Sequence, residues 1–216
     1  MEKIQVAVLV ENHEYDVVAF QKMLDSFADC ECYVQPLDLF VRDSKNQGAY
    51  DTVLWYNMNI QIPEEGTPLR NYVQDKLGAD GQGIVLVHHA LLCFGDWDVF
   101  TGVVGVSARR TDGMFSYHMN VPVKCVVQNG DHPVARGLRD FDIVDETYVM
   151  GEPDQPGTDI LITAECEVGG KNIGWAREYK KSRVFATASG HDNRVYANAD
   201  YRKLIHNAIQ WTSRRC

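Results

Sequence analysis

Two adjacent histidines, His88 and His89, end the segment 83–89 (GIVLVHH), which predicts a central strand. In a strand–turn–helix elbow, the residue at the turn is held above the sheet beside helix N–H groups. A neutral histidine there could bind a metal or act as a general base. Because side chains alternate along a strand, we expect only one of the pair to face a cleft and the other to lie in the core. His89 is the candidate for catalysis and His88 for substrate binding.

A third histidine follows the last predicted central strand, in the segment Ser189-Gly190-His191-Asp192. Gly190 permits a close turn, which would place His191 beside the elbow at the same edge of the sheet. His191 is therefore the candidate acid–base residue, and Asp192 is a candidate for substrate binding. The alternative is that His191 is an exposed loop residue.

Two adjacent carboxylates, Asp145 and Glu146, stand shortly before Tyr148. This combination suits sugar binding or acid–base chemistry, although the same residues could form a solvated strand edge. We predict that Glu146 orients His191 or holds a substrate hydroxyl, and that Tyr148 contacts the substrate.

The first predicted strand–helix turn carries Glu11, Asn12 and His13. These are candidates for substrate binding, but polar residues are also expected in such a turn as helix caps. Cys93 lies beyond the elbow, within a predicted helix, and is expected to be a packed core residue rather than a nucleophile.

The elements that must position these residues alternate between buried strands and amphipathic helices over the first hundred residues. This pattern predicts an α/β fold of flavodoxin-like, doubly wound type, with a mainly parallel sheet and helices on both faces. Ligands of such sheets bind at the carboxyl ends of the strands, so the candidate residues should share one cleft. The predicted strands are 4–10, 32–38, 50–58, 83–88 and 183–189, and the predicted helices are 15–28, 68–77, 90–100 and 199–213.

The middle of the chain differs, because the β-like segments 117–128, 141–150 and 159–166 have no helices between them. They predict a β-rich extension of the sheet. Residues 106–120 resemble a loop that could lie over the site. We expect residues 1–216 to form a single domain.

The net charge of −9 argues against binding to nucleic acid or to an anionic membrane surface, because both need clustered Lys and Arg. No apolar run is long enough to span a membrane, and the N-terminus lacks the apolar core of a signal peptide. The six scattered cysteines form no C-x-x-C pair, which favours a reduced, cytoplasmic protein. A small neutral partner such as a sugar is compatible with this composition, and the sequence leaves a homo-oligomer open.

Class I glutamine amidotransferases have a Cys at the elbow and a His-x-Glu after a later strand. Here the elbow holds His88 and His89, and His191-Asp192-Asn193 follows the later strand. The amidotransferase triad is therefore absent, and glutamine hydrolysis is not implied.

Six short segments of the chain occur in a distinctive order. They are Glu11-Asn12-His13, Val87-His88, His132–Leu138 (HPVARGL), Asp145–Tyr148 (DETY), Gly190-His191-Asp192 and Asn207–Trp211 (NAIQW). In this order they resemble the ThuA-like (trehalose-utilisation) family, a branch of the class I glutamine-amidotransferase-like fold.

The resemblance implies a role in carbohydrate metabolism, around trehalose or related disaccharides and their keto forms. The residues themselves predict a cleft rich in histidine and carboxylate but without a strong nucleophile. Such a cleft suits proton abstraction next to a carbonyl, with a divalent metal as a possible cofactor. The alternative function is a non-catalytic carbohydrate-binding or assembly module on the same fold.

Overall fold

The apolar runs that predict buried strands all lie in one sheet of the computed structural model, which describes residues 2–110 and 114–216. Its nine strands are β1 (Ile4–Glu11), β2 (Cys30–Pro36), β3 (Thr52–Asn57), β4 (Gly83–Val87), β5 (Ser116–Val127), β6 (Phe141–Val149), β7 (Asp159–Glu165), β8 (Asn172–Tyr179) and β9 (Ser182–Thr187). They are hydrogen-bonded in the order β2-β1-β3-β4-β9-β8-β7-β5-β6.

The sheet is mixed, which corrects the expectation of a mainly parallel one. The strands β2, β1, β3, β4 and β9 pair in parallel. The pairs from β9 through β8, β7 and β5 to β6 are antiparallel. The β-rich extension predicted for the middle of the chain thus makes up nearly half of the sheet. The sequence does not predict strand β8, because Gly174, Arg177 and Glu178 interrupt its apolar pattern.

Both faces of the parallel half are covered. Every residue of β3 and β4 is buried, although successive side chains of a strand point to opposite faces. The helices are α1 (Val17–Asp25), α2 (Leu37–Arg42), α3 (Pro68–Asn71), α4 (Asp98–Val104), α5 (Asn193–Ala197) and α6 (Ala199–Thr212). A wide turn at Tyr72–Lys76 continues α3, and single 3₁₀ turns lie at Gln47–Ala49, His88–Leu92 and Pro133–Ala135. Helix α5 contacts both α1 and α6. Helix α2 contacts α3, and α4 contacts the wide turn that continues α3.

The predicted helix over residues 90–100 is wrong in its position. A 3₁₀ turn at His88–Leu92 ends at Cys93, and α4 begins only at Asp98. Between them, Phe94 and Gly95 have left-handed backbone conformations that no helix can contain. The buried Arg109 donates to the carbonyl oxygens of Leu91 and Cys93 and stabilises this irregular stretch.

The expected loop over residues 106–120 is shorter than predicted, because β5 begins at Ser116. Part of that segment, residues 111–113, lies outside the described residues. Phe115, which precedes β5, packs with its ring centroid 5.8 Å from that of Tyr148. Among residues 2–110 and 114–216, no helix is long and apolar enough to cross a membrane.

Candidate functional site

His88 lies at the turn where β4 ends, in a left-handed backbone conformation with φ of 55°. Such a conformation is unfavourable for a residue other than glycine and is often found at functional sites. The side chain is completely buried. Its Nδ1 lies 2.7 Å from the carbonyl oxygen of Ala188, so Nδ1 carries the hydrogen and donates it. In the neutral ring, Nε2 therefore has a lone pair.

Three polar side chains surround this Nε2 atom of His88. Glu146 Oε2 lies at 3.3 Å, His191 Nδ1 at 3.2 Å and the Tyr148 hydroxyl at 2.8 Å. Glu146 Oε2 and His191 Nδ1 are themselves 2.6 Å apart. Glu146 and Tyr148 share one face of β6, since they are two residues apart, and His191 follows β9. We call His88, Glu146 and His191 the His–Glu–His cluster.

The ionisation of these groups follows from their contacts. Although burial opposes its ionisation, the close contacts with His191 and His88 lower the pKa of Glu146 to about 2. The hydrogen bond with Glu146 also raises the pKa of His191. Burial raises the pKa of Tyr148 well above its ordinary value, so its hydroxyl stays protonated and donates to His88. The carboxylate of Glu146 is thus available as a partner for positive charge.

His13 and His89 extend the cluster on one side. Their rings stack with centroids 4.0 Å apart, and the His13 ring meets that of His191 edge-on at 5.7 Å. His89 is fully buried, and burial lowers its pKa to about 2, so the ring stays neutral. His88 itself belongs to the cluster, and the His89 ring meets the His88 ring edge-on with centroids 5.4 Å apart. Strand alternation does not apply to them, because the left-handed turn at His88 has already ended β4.

The remaining candidates for substrate binding are Glu11, Asn12 and Asp192. Glu11 is the last residue of β1, and Asn12 is exposed in a left-handed turn with φ of 58°. Asp192 caps α5 by accepting the N–H of Arg194 at 2.9 Å, and it forms an ion pair with the Arg194 side chain. This contact gives Asp192 a structural role.

Asp145 holds the cluster together, a role that the sequence does not reveal. Its buried carboxylate accepts the backbone N–H groups of Glu146 at 2.9 Å, Gly190 at 2.8 Å and His191 at 3.0 Å. Burial raises the pKa of Asp145, and these three donors act in the opposite direction. Asp145 thereby ties β6 to the turn that carries His191. No local pattern marks this role, because Gly190 and His191 are 45 and 46 residues away in sequence.

Gly190 and two tyrosines shape the turn before His191. Gly190 has φ of 125°, and a Cβ added there would lie 2.2 Å from the Tyr201 hydroxyl. Tyr201 donates to the carbonyl oxygen of Ser189 at 3.0 Å, and Tyr56 donates to that of Gly190 at 3.0 Å. The turn is therefore fixed from β3 and from α6.

Two groups of side chains within the described part of the chain could hold a metal ion. One is the His–Glu–His cluster, and the other consists of Asp29, Cys30 and His206. In the second group, His206 already pairs with Asp29, and burial raises the pKa of the Cys30 thiol. A thiol binds metal as the thiolate, so the second group is the poorer set of ligands.

Comparison with known proteins extends over almost the whole chain. A family model described as ThuA, trehalose utilisation, matches residues 7–212. No protein with curated annotation matches the sequence.

Solved structures share the fold. A protein from Parabacteroides merdae described as ThuA-like is 20% identical with a TM-score of 0.76, over 98% of this chain and 90% of that one. A second, from Bacteroides uniformis, is 17% identical with a TM-score of 0.71, over 98% and 91%. A Thermoplasma acidophilum protein described as belonging to a GMP synthase is 13% identical with a TM-score of 0.63, over 100% and 96%. At such identities the likeness concerns the fold alone.

Proposed function

Because the chain belongs to the ThuA family of trehalose-utilisation proteins, we propose that it is an enzyme of carbohydrate metabolism that acts on a trehalose-related keto-disaccharide. The observation that carries this proposal is the His–Glu–His cluster at the carboxyl ends of β4 and β9. A small cavity beside the cluster is lined by Glu146, Tyr148, Met150 and Ser189, among other residues.

The reaction that suits these groups is proton transfer next to a carbonyl. A base takes the proton from the hydroxyl-bearing carbon beside the keto group. The electrons of that C–H bond form the double bond of an enediol as the keto oxygen gains a proton. When the neighbouring hydroxyl then loses its proton and the former keto carbon gains one, the product is an isomerised sugar, and no oxidant is needed. Elimination or hydrolysis of the glycosidic bond could begin with the same step.

Two histidines are placed to take this proton. In His191, the neighbouring Glu146 would stabilise the imidazolium that forms, as a carboxylate does in a catalytic triad. In His13, Nδ1 donates to the carbonyl oxygen of Glu14 at 2.6 Å, which leaves the lone pair on Nε2. Burial lowers the pKa of His13, so this ring is neutral and able to act as a base near neutral pH.

Cysteine chemistry has no support at this site. Cys93 is completely buried and its thiol donates to Asn57, and burial raises its pKa to about 12. The position that a nucleophilic Cys holds in the amidotransferases is taken by His88. We therefore expect no glutamine amidotransferase activity.

The test is a turnover assay on a panel of keto-disaccharides, followed by NMR of the sugar. The variants His191→Ala and His13→Ala are compared with His206→Ala, which removes a histidine outside the cluster. Loss of a positioned base should slow turnover roughly 10²–10⁴-fold, whereas His206→Ala should keep the rate. Sugar binding without turnover by the wild-type protein would instead support the non-catalytic binding module. Unchanged rates in both His191→Ala and His13→Ala would reject this site.

A further inference from the structure

We propose that His88 Nε2, His191 Nδ1 and Glu146 Oε2 together bind one divalent transition-metal ion, with zinc as the best match. This inference concerns the site of the proposed function. Metal binding is measured without a sugar, however, so either proposal can fail while the other stands.

The distances among the three donor atoms match a shared ion. His88 Nε2 lies 3.3 Å from Glu146 Oε2 and 3.2 Å from His191 Nδ1, and Glu146 Oε2 lies 2.6 Å from His191 Nδ1. Metal–ligand bonds of about 2.0–2.2 Å place neighbouring ligand atoms roughly 3 Å apart. The three side chains come from different parts of the chain, yet their donor atoms all lie within 4.8 Å of one another.

The hydrogen-bond inventory also favours a cation. Nε2 of His88 has no hydrogen in the neutral ring, because Nδ1 donates to Ala188. Glu146 is a carboxylate and can only accept. The hydrogen on His191 Nδ1 is closest to Glu146, at 2.6 Å, and the Tyr148 hydroxyl donates to His88. The lone pair of His88 still faces a carboxylate oxygen across the 3.3 Å contact. A cation at the centre would satisfy all three donors together.

The surroundings of the donors resemble those of a metal site. Metal-binding histidines generally donate their other ring N–H to a carbonyl or carboxylate, as His88 does to Ala188. Asp145 fixes the backbone of both Glu146 and His191. In the absence of a metal, the Tyr148 hydroxyl donates its hydrogen to the lone pair on His88 Nε2. When a metal takes that lone pair, the Tyr148 hydroxyl becomes free to donate to a substrate oxygen.

The ligand types select among metals. Two imidazoles and one carboxylate, without a thiolate, form a set found at catalytic zinc sites, which keep a position open. Imidazole ligands also suit other late divalent transition metals better than Mg²⁺ or Ca²⁺. In the proposed reaction, an ion here would polarise the keto oxygen. His13 is then the histidine left to take the proton, since His191 is a ligand.

The experiment measures metal binding directly. Protein freed of metal by dialysis against a chelator is titrated with Co²⁺ and Zn²⁺, and the bound metal is counted by elemental analysis. The variants are His191→Ala and the isosteric Glu146→Gln, with His206→Ala as the matched control from the second candidate group. His88 is left unchanged, because its strained and buried position makes a folding defect the expected result of replacing it.

We expect one ion per chain in the wild-type protein and in His206→Ala. Removal of a ligand should weaken binding by more than the roughly 10–100-fold that loss of an outer partner costs. The Co²⁺ spectrum should show visible d–d bands and no thiolate charge-transfer band, since the cluster has no cysteine.

Three results would overturn the proposal: no binding by the wild-type protein, equal affinity in the wild-type and both cluster variants, or loss of binding in His206→Ala with a thiolate band in the wild-type spectrum. Near-ultraviolet circular dichroism establishes that each variant is folded. If His191→Ala does not fold, Glu146→Gln decides, because it keeps the size of the side chain.

Discussion

Replacing Gly190 by alanine should destabilise the turn that carries His191, by about 2–6 kcal/mol in the free energy of unfolding. Two separate effects contribute. The φ of 125° lies in a region that alanine rarely adopts, which costs about 1–3 kcal/mol. The added Cβ would also lie 2.2 Å from the Tyr201 hydroxyl and 3.0 Å from Val87 Cγ1, and such overpacking costs about 1–3 kcal/mol.

The chain offers matched controls for each effect. At Gly157, φ is 75° and nothing lies within 4 Å of an added Cβ, so Gly157→Ala measures the backbone effect alone. At Gly130, no left-handed conformation is present and the space is also open, so Gly130→Ala should be nearly neutral. The double variant Gly190→Ala/Tyr201→Phe removes the hydroxyl that the Cβ would meet. It should therefore be less destabilised than the sum of the two single variants.

Urea unfolding followed by tryptophan fluorescence gives these differences. The expected order of stability is Gly130→Ala, then Gly157→Ala, then Gly190→Ala as the least stable. The reasoning is refuted if Gly190→Ala lies within about 0.5 kcal/mol of Gly130→Ala, which is the usual size of a neutral surface change. The steric part of the reasoning is refuted if the destabilisation of the double variant equals the sum of those of Tyr201→Phe and Gly190→Ala.

Two further predictions concern Asp145 and the cysteines. Asp145→Asn should leave the protein folded but weaken Zn²⁺ binding roughly 10–100-fold. The reason is that the amide can accept fewer of the three N–H groups that position Glu146 and His191. A titration that shows unchanged Zn²⁺ affinity would contradict this prediction. All six cysteines should react with a thiol reagent after unfolding without prior reduction, whereas in the native protein the exposed Cys216 should react first and the buried Cys93 should not react. Cys93→Ser should keep turnover and metal binding, and loss of either would argue for a role of this thiol.

Most of the parallel half of the sheet could be predicted because β1, β3, β4 and β9 are largely buried on both faces. Nearly continuous apolar runs such as 4–10 and 83–87 are typical of strands that are buried on both faces of a parallel sheet. Strand β8 has no such run, because Gly174, Arg177 and Glu178 interrupt it. The helix predicted after the elbow is misplaced for a related reason. Its apolar residues pack in the core from an irregular backbone that Arg109 stabilises through hydrogen bonds, and periodicity does not show such bonds.

The histidines of the site could be predicted better than their partners. The position of His88 and His191 after neighbouring strands is sufficient to expect them at one edge of the sheet. Glu146 could be expected there only from its resemblance to a family motif. The sequence also suggests Asp192 for binding, but an aspartate that begins a helix is explained by capping, which the contact with Arg194 bears out.

The position of Glu146 shows why the antiparallel half matters for the site. Strand β6 is the last in the hydrogen-bonded order, four strands beyond β9 and five beyond β4. In a flat sheet its residues would lie far from the end of β4, yet Glu146 is 3.3 Å from His88. The way in which β5 pairs with its two neighbours explains why Glu146 is so close to His88. β5 binds β7 only through Lys124–Val127, whereas it binds β6 along Ser116–Cys125.

The hairpin of β5 and β6 therefore extends past β7, and a register shift between His118 and Val121 bends it. Folding back in this way carries Asp145, Glu146 and Tyr148 over the carboxyl ends of β4 and β9. The parallel half supplies the two histidines, and the antiparallel hairpin supplies the carboxylate between them. A change that straightens the hairpin should thus separate Glu146 from the histidines while leaving the parallel half intact.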